Sequence, residues 1–249
     1  MASVVDMLGA RRARRRWAAA RGGDLREMAT LMRELRGLRS EADALLRAGE
    51  RRMSARAGTM ALPAQADWGW RPEPWSAALM PGVWAGVAGG TVLAPGVKLF
   101  HDCPLAEIAI RQERVADAGA RAPYRLAMDV LGFEGSFLSL AIDLPAPGVA
   151  GLGPAHIVEV AALLRQERRA EVFARLNVRH GPNTETLVHE FDMSAAPGGA
   201  VETSFDLGLE EINPRKVTHA WLDLIFEGPA MNAIALSDLT LTRRPRADI

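Results

Sequence analysis

The stretch RLNVRHGPNTETLVHEF, from Arg175 to Phe191, decides what kind of fold this chain can adopt. Two runs in which apolar and polar residues alternate are separated by His-Gly-Pro-Asn. Strict alternation indicates strands with one buried face, and glycine followed by proline is typical of a tight reversal. The stretch therefore predicts an antiparallel hairpin, with one strand over residues 171–179 and its partner over residues 185–192.

The same two-residue period recurs on both sides of this hairpin, from about residue 97 to the C-terminus. Turns rich in glycine, proline and asparagine separate the segments, and most of them have no helical segment between them. We therefore expect a mainly β protein, an antiparallel jelly-roll β-sandwich. In the last segment the alternation slips between Leu236 and Leu239, which predicts a β-bulge at Ser237 and Asp238.

Residues 1–53 predict a basic arm followed by an amphipathic helix. Asp24 and Glu27 have the spacing of a capping box, and apolar residues then follow at intervals of three and four as far as Leu45. We expect a helix over residues 24–52. Its apolar stripe can pack on the β domain of the same chain, or it can associate with a second copy or another partner.

Residues 54–96 contain five prolines and four of the six tryptophans. The prolines exclude long regular elements, whereas so many tryptophans favour an ordered segment. We predict an ordered Pro/Trp-rich strap that lies across the β domain, and the jelly-roll sandwich then occupies residues 97–249.

Composition limits the class and the location of the protein. Of 249 residues, 49% are hydrophobic and 24% are charged, which indicates a packed core. The single cysteine, Cys103, excludes an intramolecular disulfide, and the N-terminal sequence lacks the apolar run of a signal peptide. We expect a cytoplasmic protein that can also bind peripherally at the inner membrane.

The formal charge is zero overall but uneven along the chain. Residues 1–56 contain fourteen arginines against seven acidic residues, a net charge of +7, so the remainder carries −7. The basic arm is a candidate for binding an anionic membrane surface, whereas the acidic remainder argues against nucleic acid as a partner. The candidate membrane-binding residues are Arg11, Arg12, Arg14, Arg15 and Arg16.

The closing sequence HAWLDLIFEGPAMNAIALSDLTLTRRP, with VETSFDLGLEEINPRKV before it, resembles the last strands of galactose-binding-like jelly-roll domains. The resemblance covers residues 97–244, and such domains are often carbohydrate-binding modules. It implies binding of a glycan or a protein more readily than catalysis. The whole chain is also similar to an uncharacterised alphaproteobacterial, Rhodobacter-type family through GVKLFHDCPLAEIAIRQ and LNVRHGPNTE, and this similarity implies no activity.

Polar residues beside the hairpin are the strongest candidates for ligand binding. Arg175, Asn177 and Arg179 share one face of the first strand, and His180 and Asn183 lie at the reversal. Together they offer hydrogen-bond donors that suit sugar hydroxyls or an anion. The alternative is a hairpin end whose polar residues are solvated.

Other candidate residues lie outside the hairpin. Trp68 and Trp70 can hold sugar rings by stacking or can anchor the strap by packing. His101, Asp102 and Cys103 suggest a metal site or a thiol nucleophile, but neighbouring side chains of a strand point to opposite faces, which favours a structural role.

These observations favour a non-catalytic binding module whose ligand is a glycan or a cell-envelope component. No nucleotide-binding, hydrolase or zinc-protease motif is present, so we predict no catalytic residue, no metal site and no cofactor. An enzyme whose site leaves no sequence motif stays open. The alternative function is a structural or scaffolding protein that self-associates as a homo-oligomer through residues 24–52 and binds a protein partner.

Overall fold

The computed structural model describes residues 13, 15–20, 22, 24–57, 60–117, 119–194 and 197–247. The chain divides into two compact units, Met1–Glu50 and Arg51–Ile249. No helix in the described part of the chain is long and apolar enough to cross a membrane. Of the basic-arm residues, Arg15 and Arg16 are exposed on a helical segment, and Arg11, Arg12 and Arg14 lie outside the described residues.

A long helix, α1, spans Leu25–Ala57. It begins directly after Asp24, where the capping-box spacing predicts a helix start, and it continues past the predicted end at residue 52. Two members of its apolar stripe, Leu38 and Leu45, are exposed to 55% and 75%. Packing within the chain therefore leaves part of this stripe uncovered.

The described part of the second unit contains thirteen β-strands in two antiparallel sheets, with two short helices between strands. The elements are β1 (Trp68–Trp70), α2 (Glu73–Ser76), β2 (Val83–Ala85), β3 (Thr91–Ala94), β4 (Val97–His101), β5 (Ile108–Arg114), β6 (Tyr124–Val130), β7 (Leu138–Asp143), α3 (Ala146–Val149), β8 (His156–Gln166), β9 (Val172–His180), β10 (Asn183–Glu190), β11 (Ala200–Asp206), β12 (Val217–Phe226) and β13 (Asn232–Pro245).

Strand order defines a jelly-roll sandwich, as the two-residue period predicts. The seven-stranded sheet has the order β11-β8-β13-β6-β5-β2, and β1 also pairs with β13. The six-stranded sheet has the order β10-β9-β12-β7-β4-β3. From β6 onward most connections cross between the two sheets, so each sheet is assembled from strands distant in sequence. The prediction of a mainly β, antiparallel jelly-roll fold is confirmed.

The hydrophobic core comes from every second residue of both sheets. Strand β8 buries Val158, Val160, Ala162 and Leu164, and β12 buries its own alternate set. Burial of these side chains is the main favourable contribution to folding, because each removes apolar area from water. The remaining residues of the same strands face outward, so the alternation that forms the core also selects the side chains available to a ligand.

The strap prediction needs correction, because residues 54–96 contribute strands to both sheets instead of lying across them. Strand β1 pairs with β13, β2 with β5, and β3 with β4. Prolines separate β1 from β2, and a glycine-rich segment separates β2 from β3. The three strands have only three or four residues each, too few for a clear two-residue period. Trp75 in α2 is fully buried, and its indole Nε1–H donates to the Leu236 carbonyl at 2.8 Å.

The β-bulge in the last strand is confirmed, since the register of β13 against β8 shifts between Leu236 and Asp238. The Asp238 carboxylate is buried and accepts two hydrogen bonds from Arg71. Nε of Arg71 lies 2.8 Å from Oδ1, and Nη2 lies 3.2 Å from Oδ2. The aspartate of the IALSDLTL pattern therefore joins the bulge to the segment that follows β1.

The hairpin predicted from the opening stretch is also present, with a tighter loop. His180 pairs with Asn183, so only Gly181 and Pro182 lie between strands β9 and β10. Gly181 has φ +60°, a left-handed conformation that favours glycine. Both strands extend closer to the reversal than the sequence predicts.

Candidate functional site

Four neighbouring strands of the six-stranded sheet form the floor of a groove on its outer face. Arg175 of β9 lies opposite Asp223 of β12, Asp223 lies opposite Ala141 of β7, and Ala141 lies opposite Lys98 of β4. Residues directly opposite each other in antiparallel strands point to the same side of the sheet. The register therefore brings together side chains that are more than 120 residues apart in sequence.

Two adjoining cavities of about 310 and 450 Å³ lie along this face. Both are lined by Phe100, Arg175 and Asp223, so we treat them as one surface, the sheet groove. The other lining residues are Gly96, Lys98, Phe137, Ser139, Ala141, Asp143, Arg179, His219, Trp221 and Ile225.

A buried carboxylate organises the centre of the sheet groove. Asp223 is 4% exposed, and its Oδ2 accepts hydrogen bonds of 2.9 Å from Nε of Arg175 and from Nδ2 of Asn177. The same oxygen forms an ion pair with Nη2 of Arg175 at 2.9 Å. Asn177 is itself buried, and its Oδ1 accepts from the Thr186 hydroxyl at 3.1 Å. A buried charge is tolerated when it is paired and hydrogen-bonded in this way. Both of these hydrogen bonds end on Oδ2 of Asp223. Its Oδ1 accepts no hydrogen bond from any described residue.

Aromatic rings flank this polar centre. Trp221 is half-buried and stacks on the imidazole of His219, with ring centroids 5.2 Å apart. Nε2 of His219 lies 3.2 Å from Oδ1 of Asp143. Phe100 and Phe137 are 39% and 42% exposed, large fractions for apolar rings of this size. The sheet groove thus combines flat apolar surfaces with hydrogen-bonding groups.

Ser139 adds an unusual feature to the floor. It lies opposite Phe100 on one side and Ile225 on the other, and it is 5% exposed. Its hydroxyl is covered by neighbouring side chains and has no hydrogen-bond partner among the described residues. An unpaired buried hydroxyl is destabilising. A change of the χ1 rotamer of Ser139 can turn the hydroxyl toward a different neighbour.

Asp102, which directly follows β4, holds the loop that carries Phe137. Asp102 accepts hydrogen bonds from the Ser136 hydroxyl at 2.5 Å and from the Ser136 backbone N–H at 2.7 Å. The Ser136 hydroxyl is the main reason that the pKa of Asp102 lies below its ordinary value. The carboxylate therefore orders the loop chiefly in its ionised form.

The other members of the His-Asp-Cys triplet also bond to the backbone. His101 donates from Nε2 to the Val87 carbonyl at 2.7 Å and accepts from the Cys103 N–H at Nδ1. Burial raises the pKa of the Cys103 thiol, but backbone N–H groups, led by that of Glu134, outweigh it and lower the pKa overall. Both imidazole nitrogens are occupied, so His101 is not oriented as a base toward the sulfur. No metal-binding group of three or more ligands occurs in the described part of the chain.

The structure separates the residues that the sequence groups at the hairpin. Arg175, Asn177 and Arg179 lie on the outer face, where both arginines line the sheet groove. His180 follows Arg179 directly and so has the opposite orientation. It is buried, with Nε2 3.1 Å from Oε1 of Glu185, and is not brought to the groove. Asn183 is exposed at the start of β10 and does not line it.

Trp68 and Trp70 lie on the other sheet. Their rings stack with centroids 6.4 Å apart on β1, which pairs with β13 of the seven-stranded sheet. A Cβ added to Gly148 would come within 2.5 Å of the Trp68 ring, so this indole packs directly on α3. The two tryptophans are packed within the sandwich and do not line the sheet groove.

Sequence reasoning missed the residues that β12, β7 and β4 contribute, above all Trp221, Asp223, Phe100 and Ser139. A signal for the first two was present in HAWLDLIF, where His, Trp and Asp occupy alternate positions opposite in phase to the core residues. Their proximity to Arg175 was not visible, because it depends on which strands are neighbours.

Two antiparallel sheets with a groove on one outer face define the class of the protein as a jelly-roll β-sandwich. The chain belongs to a family described as a family of unknown function, DUF6478, whose model matches residues 1–249. No curated protein matches it in sequence.

Solved structures with a similar fold include several proteins that act on or bind carbohydrates. Carbohydrate-binding modules of the β-sandwich superfamily, with promiscuous specificity, are similar at TM-score 0.41 and 11% identity, over 60% of this chain and 57% of that chain. The module TmCBM61, in complex with β-1,4-galactotriose, is similar at TM-score 0.36 and 13% identity, over 58% of this chain and 86% of that chain.

A third similar structure is the enzymatically active domain of tailspike protein 4 from bacteriophage CBA120. Its TM-score is 0.39 and its identity 5%, over 58% of this chain but only 19% of the tailspike chain. At such identities and TM-scores, the similarities say nothing about the ligand or activity of this chain.

Proposed function

We propose that this protein is a non-catalytic glycan-binding protein and that the sheet groove is its ligand site. A sugar ring has an apolar face that stacks on an aromatic ring and hydroxyl groups that need paired donors and acceptors. The sheet groove offers both kinds of surface within one depression on a rigid sheet.

The observation that carries the proposal is the position of Trp221 beside the Arg175–Asp223 pair. Asp223 holds the guanidinium through two nitrogens, so the remaining donors of Arg175 are fixed in direction before a ligand arrives. Oδ1 of Asp223 supplies an acceptor beside them. Such preorganised donor and acceptor groups reduce the entropy that a ligand must lose on binding.

Phe100, Phe137 and Ser139 extend the same surface. A ligand that covers the two rings removes their remaining exposed area from water, which contributes up to about 1 kcal/mol for each ring. A ligand hydroxyl can also pair with Ser139 after a change of its rotamer, which would satisfy a group that is unpaired in the free protein.

A binding panel tests the proposal on the full chain. We would measure affinity electrophoresis and isothermal titration with soluble galactan, xylan, mixed-linkage β-glucan and polygalacturonate. Trp221→Ala should weaken binding of any polymer that binds by at least about tenfold, since loss of the apolar contact with the indole ring costs about 1–3 kcal/mol.

Trp70→Ala is the matched control, because it removes an indole of similar burial from the other sheet. This variant should retain the affinity of the wild-type protein. Circular dichroism must show that both variants are folded. Equal loss in the two folded variants, or unchanged binding in Trp221→Ala, would show that the sheet groove is not the site.

A second function, self-association through α1, is favoured by the exposed leucines of this helix. Leu38 and Leu45 are exposed to 55% and 75% and are seven residues apart, so they lie on one side of the helix. We propose Leu38→Lys with Leu45→Lys and light scattering at several concentrations. A smaller mass than wild type would support scaffolding, and an unchanged monomeric mass in both proteins would contradict it.

A further inference from the structure

We propose that the ligand of the sheet groove is an acidic polysaccharide, which presents carboxylate groups to Lys98 and Arg179. This inference rests on the proposed function and specifies the class of glycan. It comes from the charges that are left unpaired at this site.

Lys98 and Arg179 are the two cations of the sheet groove that lack an internal partner. Both side chains are exposed, and neither forms a hydrogen bond or ion pair with any residue in the described ranges. Every other charged residue that lines the groove is paired. Arg175 bonds to Asp223, and His219 contacts Asp143.

The carboxylates of the groove do not neutralise these two cations. Oδ2 of Asp223 accepts from Arg175 and Asn177, and Oδ1 of Asp143 faces the imidazole of His219. With His219 neutral, the lining carries three positive and two negative charges. The excess is positive, although residues 57–249 together carry a net charge of −7. A local positive excess on an acidic domain attracts an anionic ligand to that place.

The spacing of the two cations indicates a ligand with more than one acidic group. Lys98 is on β4 and Arg179 on β9, with β7 and β12 between them. Three strand spacings place their backbones about 14 Å apart across the sheet. They are also displaced along the strands, since Arg179 lies opposite His219 whereas Lys98 aligns with Asp223 through Ala141. One carboxylate cannot pair with both, but two acidic residues on an extended sugar chain can.

Trp221 and Asp223 lie between the two cations. A sugar unit stacked on Trp221 would be hydrogen-bonded by the Arg175–Asp223 pair, and its acidic neighbours would reach Lys98 and Arg179. Trp221 and the Arg175–Asp223 pair would thus stack on and orient the central sugar unit, and Lys98 and Arg179 would bind the acidic groups on either side of it.

The test compares acidic polymers with their own carboxyl-reduced derivatives, which keep the linkages and lose the charge. The probes are polygalacturonate, alginate and hyaluronate, each native and reduced, titrated into the full chain. At least one native polymer should bind at least tenfold more tightly than its reduced form, and 0.5 M NaCl should remove most of this difference.

Variants then localise the charge recognition. Lys98→Gln and Arg179→Gln should each weaken binding of the native polymer by about threefold to tenfold and leave binding of the reduced polymer unchanged. Arg114→Gln is the control, because Arg114 is an exposed arginine on β5 of the other sheet. It should change neither affinity.

The outcomes separate this inference from the proposed function. Equal binding of native and reduced polymers, or binding only of neutral polysaccharides through Trp221, overturns the acidic ligand and leaves glycan binding intact. An acidic preference that survives Lys98→Gln and Arg179→Gln together also overturns it. Absence of binding to every polymer, acidic or neutral, overturns both.

Discussion

The outer faces of the two sheets both carry depressions, yet their chemistry differs. On the seven-stranded sheet a cavity of about 490 Å³ is lined mainly by threonine, alanine and glutamate side chains and by Met60, Ala61 and Pro63. Glu159 there bonds to Arg244 and Thr242, and the hydroxyls of Thr203 and Thr240 have partners, so most of these polar groups are paired; the exposed Glu202 has no partner among the residues that the structure describes. Neither of the two cavities of the sheet groove is larger than this one, but the groove has exposed rings, unpaired cations and an unpaired hydroxyl.

This difference shows that cavity volume alone does not distinguish a ligand site from a gap between strands. A buried group without a partner, such as the Ser139 hydroxyl, is costly to the free protein, and a ligand can recover that free energy. Exposed cations without a partner stay available to an anionic ligand. Four changes can break or sharpen this contrast between a face whose polar groups are mostly paired and a face that keeps unpaired groups.

The largest effect should follow the loss of a matched pair, at Asp238 on the seven-stranded sheet. Asp238→Ala leaves the buried Arg71 guanidinium without this carboxylate and should lower the free energy of unfolding by about 3–5 kcal/mol. Urea denaturation measures this. Asp129→Ala removes the half-exposed ion pair with Arg111 and should cost less than about 1 kcal/mol. Similar losses in the two variants would show that burial does not determine the strength of these pairs.

Asp223→Ala should affect stability and binding together. It leaves the buried Asn177 amide with only its longer bonds to the Arg175 and Trp221 carbonyls, and it releases the Arg175 guanidinium, so the free energy of unfolding should fall by about 1–3 kcal/mol. Binding of the polymer identified in the panel should fall at least tenfold, because the donors lose their fixed direction. Measurement of both quantities on the same preparation separates the effects. An unchanged affinity would remove the Arg175–Asp223 pair from the site.

Ser139→Ala should separate stability from binding. Because the hydroxyl is unpaired in the free protein, its removal should leave the free energy of unfolding unchanged or raise it by about 1 kcal/mol. Affinity for the polymer should fall about threefold, since the ligand loses one hydrogen bond. A clear loss of stability would mean that the hydroxyl has a partner, such as water, in the free protein.

The smallest effect should be the pH dependence that Asp102 contributes. Its folded-state pKa lies below the ordinary value of 3.8, so its stabilising effect is present above that pH and is lost as the pH falls through the folded-state pKa. The melting temperature of wild type should therefore decline more steeply below about pH 4 than that of Asp102→Asn. Parallel melting curves from pH 5 to pH 2 would contradict this role in the Phe137 loop.

Local sequence patterns predicted much of the fold. The alternation in β8, β9 and β12, the reversal at Gly181, and the phase slip at Asp238 all concern neighbours in sequence, and each was found. The short strands β1, β2 and β3 were missed because segments of three or four residues carry too little periodicity to be recognised.

Only part of the candidate site could be predicted from the sequence. Arg175 and Arg179 stood out because they are polar at outward positions of one strand, whereas His180, one residue further, faces inward by the same rule. Trp68 and Trp70 were equally conspicuous, but strand pairing places them on the other sheet.

By itself the sequence determined the fold class, because the two-residue period sorts each strand into a buried and an exposed face. It also determined which side chains could face outward. Only the tertiary structure decided which of them became neighbours: Arg175 meets Asp223, and Phe100 meets Ser139, through the pairing of strands far apart in the chain. The physical reason is that strand order depends on how both sheets bury their apolar faces together, a property of the whole core that no single segment encodes.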